Sequence, residues 1–117
     1  MRKQVKIILS SDAEEVYKYL NTEASESKQE RMILNAINNK MDLIKQNPHF
    51  GNPIEKKKIP KEYLIKYGVN NLFRIELPNF WRMLYTLTNN EEIKIIAFVL
   101  DVIDHQTYNN KFGYKNK

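Results

Sequence analysis

Three charged residues in the last third of the chain have the spacing of a polar site on a β-sheet. Arg74 and Glu76 are two residues apart, so they point to the same face of a predicted strand, because side chains along a strand alternate between its faces. Arg82 comes one short turn later and could lie across from them on the next strand. The pattern predicts two arginines and a carboxylate on one face of the sheet.

His105 and Tyr108 follow the end of the last predicted strand. Pairing of antiparallel neighbours would bring this end close to Arg82, so that the imidazole and the guanidinium converge. Arginine, histidine, tyrosine and lysine side chains without a metal suit the cleavage of RNA by its own 2′-hydroxyl. In that reaction a base takes the 2′ proton, cationic groups stabilise the charged phosphorane, and an acid protonates the leaving 5′ oxygen.

Structural roles would account for the same residues. Arg82 and Glu76 could form an ordinary cross-strand ion pair, and His105 could cap the sheet or lie in solvent. Tyr108 could anchor the tail of the chain by packing. The residue types alone leave these alternatives open.

A basic cluster lies in the irregular stretch between residues 48 and 70, which contains three of the four prolines. So long a connection inside a small domain is more often functional than decorative. The chain has 19 Lys and Arg against 14 Asp and Glu, a formal charge of +5, which favours an anionic partner. Five lysines of the cluster are expected to contact RNA phosphates: Lys56, Lys57, Lys58, Lys61 and Lys66.

The composition excludes several other kinds of site. Without cysteine the chain has no disulfide, thiolate zinc site or cysteine nucleophile. Its two histidines, His49 and His105, lack the spacing of metal ligands, and no glycine-rich phosphate loop is present. We therefore expect neither a metal nor another cofactor. The 117 residues suit a single domain, and no apolar run is long enough for a membrane segment, which predicts a cytoplasmic protein.

The spacing of apolar residues predicts an α+β fold in the order β-α-α-β-β-β. Period-two alternation over residues 5–9 indicates the first strand. Two helices follow, each opened by a Ser-x-x-Glu capping box, at Ser11 and at Ser27. A turn is expected over residues 21–25, and Pro48 should end the second helix.

The last third of the chain predicts three strands, with turns at Pro78-Asn79 and Asn89-Asn90. The final strand, Ile93 to Ile103, is nearly continuous in apolar residues and should be buried on both faces. Helices followed by strands indicate a mostly antiparallel four-stranded sheet with the helical hairpin packed on one face. The irregular stretch before these strands leaves room for a short helical turn near Lys61 to Tyr67.

The predicted strand Trp81-Arg82-Met83-Leu84-Tyr85-Thr86 has an aromatic residue, an arginine, two hydrophobic residues and a tyrosine in succession. Together with the ending Asp104-His105-Gln106-Thr107-Tyr108 and the element order over nearly the whole chain, it resembles the RelE/ParE superfamily of toxins, most closely the archaeal members. Further matching segments are Ile59-Pro60-Lys61-Glu62-Tyr63, Lys66-Tyr67-Gly68-Val69-Asn70-Asn71-Leu72-Phe73-Arg74, Leu77-Pro78-Asn79-Phe80 and Phe112-Gly113-Tyr114.

The resemblance implies the toxin of a type II toxin–antitoxin pair, with a cognate antitoxin as partner. RelE-like members cleave mRNA, usually in the ribosomal A site, whereas ParE-like members share the fold and act on DNA gyrase. We expect a RelE-like mRNA interferase that cleaves ribosome-bound mRNA without a metal. The alternatives are a ParE-like or catalytically degenerate member that binds a protein target without cleaving RNA, and a small nucleic-acid-binding module without toxicity.

The resemblance also implies roles for the polar residues. Arg82 matches the arginine that contacts the scissile phosphate in RelE-like toxins, and Tyr108 matches their C-terminal tyrosine. His105 falls where related toxins place an arginine or a histidine. Arg74 and Glu76 fall near a strand that carries two lysines in the bacterial prototype, so here one position is positive and the other is acidic. This departure leaves three candidates for the general base: Glu76, Glu55 and a nearby lysine.

Overall fold

A computed structural model describes residues 4–89 and 95–114 and has an α+β architecture. Five strands form one sheet in the spatial order β1-β5-β4-β3-β2. The strands are β1 (Val5–Leu9), β2 (Asn52–Pro53), β3 (Phe73–Glu76), β4 (Arg82–Asn89) and β5 (Ile95–Ile103). The helices are α1 (Ser11–Glu23), α2 (Lys28–Gln46), α3 (Lys61–Tyr67) and α4 (His105–Phe112).

The sheet confirms the mostly antiparallel prediction and has one strand more than the four expected. Strands β2 to β5 pair antiparallel with their neighbours, while β1 lies parallel to β5 at the sheet edge. The additional strand, β2, is only two residues long and pairs Asn52 with Arg74. A two-residue strand that contains a proline has no period-two pattern, so only the tertiary pairing reveals it.

The N-cap residue of α2 agrees with the sequence-based prediction, whereas that of α1 differs from it. Ser27 caps α2 as predicted, since its Oγ accepts the Glu30 N–H and also contacts the Glu30 carboxylate. The first helix is capped by Ser10 and not by Ser11: Ser10 Oγ accepts the Ala13 N–H at 3.0 Å and donates to the Leu100 carbonyl at 2.6 Å. Ser10 is favoured because its buried hydroxyl then has both a donor and an acceptor within reach.

Two other boundaries differ from the sequence-based expectation. The first helix, α1, continues to Glu23 and so covers part of the turn expected over residues 21–25. The polar segment after the last strand, for which no element was predicted, forms a helix, α4, over eight residues. The short turn near Lys61 to Tyr67 is confirmed as α3. Of the expected last strand and the turn before it, Asn90, Ile93 and Lys94 lie outside the described residues.

The predicted helical hairpin covers one face of the sheet. Its apolar stripe is buried because residues three and four apart on a helix share a face. This core joins buried residues of the two hairpin helices to inward side chains of three strands: Ala13, Leu20, Ile33, Ile37, Ile44, Phe73, Ile75, Met83, Tyr85, Ala97 and Val99.

A second core lies on the opposite face, under α3 and α4. It contains Tyr63 of α3, Leu84 of β4, Leu100 and Ile103 of β5, and Tyr108 of α4. The apolar run of β5 predicts burial on both faces. Buried side chains of this strand lie in both cores, which confirms the prediction for the side chains whose burial the structure describes. No helix in the described ranges combines the length and the apolar composition needed to span a bilayer.

A β-bulge in β5 decides which polar side chain enters this second core. Leu84 pairs with Asp101 while the next residue of β4, Tyr85, pairs with Val99, so the register skips Leu100. Leu100 and Asp101 consequently lie on the same side of the sheet. The bulge places a carboxylate where an unbroken strand would place an apolar residue.

Tyr85 fixes the irregular loop to the hairpin side of the sheet. Its hydroxyl accepts the Gly51 N–H at 2.9 Å and donates to the Pro48 carbonyl at 2.7 Å. Gly51 is required at this contact, because a Cβ there would lie 2.9 Å from Tyr85 Cε1 and 3.1 Å from Phe73 Cβ. The loop therefore reaches the sheet edge at a defined point, which allows Asn52 to pair with Arg74.

We expect Tyr85→Phe to lower the free energy of unfolding by about 1–3 kcal/mol, because it leaves a buried amide and a carbonyl without their partner. Urea denaturation followed by circular dichroism measures the change. The matched control is Tyr19→Phe, which removes an exposed hydroxyl and should stay within about 0.5 kcal/mol of the wild type. Equal stability of the two variants would contradict the role given to the Tyr85 hydroxyl.

Candidate functional site

Two arginines flank one buried tyrosine on the sheet face covered by α3 and α4. Arg74 of β3 donates from Nη1 to the Tyr108 hydroxyl at 3.1 Å. The Cζ atoms of Arg74 and Arg82 lie 5.9 Å and 5.3 Å from the centroid of the Tyr108 ring. Tyr108 itself is only 4% exposed. The structure thus brings together three of the residues predicted from the sequence, and cation–π contacts hold them.

Both guanidinium groups retain a buried donor without an acceptor. The Nε atoms of Arg74 and Arg82 are buried, and neither has a hydrogen-bond partner among residues 4–89 and 95–114. Arg82 uses its Nη1 for the main-chain carbonyls of Phe80, at 2.6 Å, and Trp81, at 3.4 Å. Leaving a buried donor unpaired is unfavourable, so two such donors on neighbouring strands indicate a place for an external acceptor. An oxyanion would satisfy them, because arginine forms strong charge-assisted hydrogen bonds with phosphate.

A cleft of about 140 Å³ opens beside the arginine of β3. Its walls combine the edge of the sheet, the loop before α3 and the end of α4, and its lining residues are Asn52, Pro53, Ile54, Glu55, Lys58, Arg74, Tyr108 and Tyr114. The hydrogen bond to Tyr108, with the charge of Glu76 contributing less, raises the pKa of Arg74 above its ordinary value. The guanidinium in the cleft is therefore a permanent positive charge.

Glu76 and His105 lie at the other end of the arginine pair. Glu76 is exposed and directly opposite Arg82 in the strand register. His105 is the exposed first residue of α4, and its ring centroid lies 5.9 Å from that of Phe80. Because the Phe80 carbonyl accepts a hydrogen bond from Arg82, the imidazole and this guanidinium share one neighbour. The predicted convergence of the strand end with Arg82 is present in the fold.

The five predicted RNA-binding lysines have different surroundings in the fold. Lys56, Lys57 and Lys58 make up an exposed 3-10 turn. Lys57 and Lys58 lie 3.6 Å and 3.8 Å from the carboxylate of Glu55, and Lys58 also lines the cleft beside Arg74. Lys58 is therefore the lysine of this turn that the structure places against the candidate site.

The two lysines of α3 have different surroundings. Lys61 is exposed at the start of the helix. Lys66 binds the Asp12 carboxylate of α1 at 2.7 Å, and this hydrogen bond is the main reason that its pKa rises to about 12. Lys66 thus ties α3 to α1, a structural contact that the sequence-based interpretation did not anticipate.

A buried hydrogen bond attaches α3 to the bulge in β5. Tyr63 donates to Asp101 Oδ2 at 2.7 Å. Burial raises the pKa of Tyr63, and the neighbouring Asp101 raises it further, so the phenol stays protonated. Burial also raises the pKa of Asp101, although Tyr63 and Lys111 oppose this effect.

The same cluster reaches α4, which carries two of the site residues. Lys111 contacts the Glu62 carboxylate and lies 3.9 Å from Asp101 Oδ2. At its start the helix is capped by Asp104, whose Oδ1 accepts the Thr107 N–H at 2.8 Å. Hydrogen bonding with the Thr107 side chain, followed by this bond from the Thr107 N–H, lowers the pKa of Asp104. Contacts at both ends of α4 therefore set where Tyr108 and His105 lie.

Sequence reasoning missed two residues of the site. Asn52 enters through the two-residue strand β2, for which the sequence has no recognisable pattern. Phe80 borders Arg82 and His105, and its signal was available as a large aromatic residue directly after the predicted Pro78-Asn79 turn. Tyr114 lies over Tyr108 with centroids 6.2 Å apart and also lines the cleft.

No protein-family model, curated protein or solved structure matches this chain.

We expect Asp101→Asn to change how stability depends on pH. The folded protein holds the Asp101 proton more tightly than the unfolded chain does, because its pKa is raised. The proton count is then higher in the folded state, so this group's contribution to stability falls as pH rises from about 4, the ordinary aspartate value, through the raised pKa. Asparagine still accepts from Tyr63 and does not titrate, so the variant should lose this decline.

Denaturant titrations between pH 3 and pH 8 measure the difference between wild type and variant. The control is Asp42→Asn, an exposed carboxylate of α2, which should leave the pH profile as it is in the wild type. A difference between wild type and Asp101→Asn that stays constant across this range would contradict the assignment.

Proposed function

We propose that this chain is the toxin of a type II toxin–antitoxin pair and acts as a RelE-like mRNA interferase. The observation that carries the proposal is the pair of buried Nε donors of Arg74 and Arg82, both close to the Tyr108 ring and without a partner in the described part of the chain. Two arginines on neighbouring strands supply the positive charge and the charge-assisted hydrogen-bond donors that favour binding of a phosphodiester. The resemblance of the Arg82 strand and of the His105 ending to RelE-like toxins supports RNA as the source of the phosphate.

In the proposed reaction the RNA supplies its own nucleophile. The 2′ oxygen forms a bond to phosphorus as the bond to the 5′ oxygen breaks, which leaves a 2′,3′-cyclic phosphate and a 5′-hydroxyl. Arg74 and Arg82 stabilise the extra negative charge of the phosphorane through fixed donors. Neither arginine needs to gain or lose a proton, so both act purely by electrostatics.

Proton transfer is assigned to the exposed groups at the Arg82 end of the site. Glu55 is held by Lys57 and Lys58, whereas Glu76 lies opposite Arg82 on the site face. We therefore assign Glu76 to accept the 2′ proton. His105 returns a proton to the leaving 5′ oxygen, since histidine is the side chain most often used for general acid–base catalysis.

The partners follow from the same proposal. Substrate mRNA would be presented by the ribosome in the cytoplasm, and the net charge of +5 would strengthen the approach to RNA. A cognate antitoxin would cover the cationic site with an acidic or amphipathic segment. Growth arrest without RNA cleavage would instead favour the ParE-like alternative, in which the chain binds a protein target.

We expect Arg82→Ala to reduce cleavage of translated mRNA by about 10²–10³-fold, because it removes one preorganised donor from the transition state. Arg82→Lys should lose part of this activity, since it keeps the charge but not the planar fork. Primer extension on mRNA recovered from a translation extract maps and quantifies the cuts.

The matched control is Arg31→Ala, which removes an exposed arginine of α2 that donates to the Ala24 carbonyl. It should cleave as the wild type does. Undiminished cleavage by a folded Arg82→Ala variant would refute the catalytic role of this arginine.

We expect His105→Gln to slow single-turnover cleavage by about 100-fold with no change in melting temperature, because the exposed imidazole transfers a proton and packs in neither core. Tyr108→Phe should slow it by less than about tenfold, since it removes one hydrogen bond that orients Arg74. The two variants are compared on the same RNA, with a 2′-deoxy substitution at the cut as the control that removes the nucleophile. A lowered melting temperature with an unchanged rate would assign His105 to the scaffold.

A further inference from the structure

Phe80 has an unfavourable backbone conformation at an exposed position. It lies in the turn between β3 and β4, where the Trp81 N–H donates to the Pro78 carbonyl at 3.3 Å. The two central residues, Asn79 and Phe80, have φ values of +58° and +63°. Positive φ at both positions is the signature of a type I′ turn, whose second central position favours glycine. A phenylalanine there is strained by the contact of its Cβ with its own backbone.

The side chain does not compensate for this strain by packing in a hydrophobic core. Phe80 is 71% exposed, and its ring lies against the exposed imidazole of His105 at a tilt of 54°. A large apolar ring in water and a disfavoured φ both reduce stability. Strained backbone of this kind concentrates at functional sites.

The ring lies next to the candidate site. The carbonyl of Phe80 accepts a hydrogen bond from Arg82 Nη1 at 2.6 Å, so this bond joins the guanidinium to the turn that carries the aromatic ring. A recess of about 420 Å³ adjoins the ring, and its lining residues are Glu76, Leu77, Asn79, Phe80 and Arg82. An aromatic face, a cation and two polar groups thus border the same open space.

We propose that Phe80 is a stacking platform for an unpaired nucleobase of the RNA whose phosphate binds Arg82. This inference rests on the proposed function and adds a substrate-positioning residue to it. A nucleobase fits the recess because it has an apolar face for the ring and polar edges for the charged and amide groups around it. An apolar side chain of a protein partner would leave those polar groups without partners. Stacking on this turn would also fix the position of the sugar-phosphate relative to the two arginines.

The first test compares binding and stability in the same variants. A fluorescent, 2′-O-methylated RNA dodecamer, which cannot be cleaved, is titrated with each protein. Phe80→Leu should bind about 5- to 100-fold more weakly than wild type, and Phe80→Trp should bind as tightly or more tightly. Phe80→Gly should also bind weakly, yet its melting temperature should rise, because glycine relieves the strain at positive φ.

Opposite changes in binding and stability distinguish a ligand platform from a structural residue, which would lose stability on truncation. Tyr19→Leu, a truncation of another exposed aromatic residue, is the matched control and should bind as the wild type does. Wild-type affinity in Phe80→Leu, or a lowered melting temperature in Phe80→Gly, would overturn the inference.

The second test locates the base. Dodecamers with a single abasic nucleotide at each position in turn are bound to wild type and to Phe80→Leu. An abasic nucleotide at one position should weaken binding to the wild type but should not weaken binding to Phe80→Leu any further, since the two changes remove the same contact. Equal penalties in both proteins at every position would overturn the stacking role.

Arg82→Ala separates this inference from the proposed function. If wild type binds RNA and Arg82→Ala weakens binding while Phe80→Leu does not, the phosphate site stands and the stacking platform fails. If wild type shows no affinity for the dodecamer, the stacking platform is refuted, whereas the proposed function is decided by the cleavage of translated mRNA.

Discussion

The hydrogen bond from Tyr63 to Asp101 is the contact on which the site face of this protein depends. It joins α3 to the bulge of β5, and Lys111 brings α4 to the same carboxylate. A buried carboxylate is stable only with hydrogen-bond or charged partners. Separation of either helix from this face would therefore expose the carboxylate or leave it buried without a partner. Because α4 carries Tyr108, this buried contact also determines where Tyr108 lies relative to the two arginines.

The two faces of the sheet divide stability and function between them. Met83 and Tyr85 of β4 pack under the helical hairpin, whereas Arg82 points to the other side with Arg74. Alternation along the strands makes this division possible, because each residue serves only one face. On the site face the protein accepts unpaired arginine donors and a strained Phe80, features that reduce stability and suit the binding of an oxyanion and an aromatic ligand.

Net charge did not locate the site. The basic cluster of the sequence separates in the fold: Lys58 lines the cleft near Arg74, while Lys66 pairs with Asp12 of α1. Two arginines that are not neighbours in the sequence, brought together by the pairing of β3 with β4, are the more specific feature. Positive charge in a sequence indicates a kind of partner, whereas the position of the site depends on which cations share a face.

Local sequence patterns predicted the α+β class, the helical hairpin, the three later strands and a common face for Arg74, Glu76 and Arg82. These features follow from periods of 3.6 and 2 and from caps such as Ser27, all of which depend on residues a few positions apart. Four other features come from tertiary contacts: the strand β2, the parallel pairing of β1, the bulge at Leu100 and the contact of Tyr108 with both arginines. Each of these joins segments far apart in the chain, and their pairing depends on burial and hydrogen bonding that no local pattern contains.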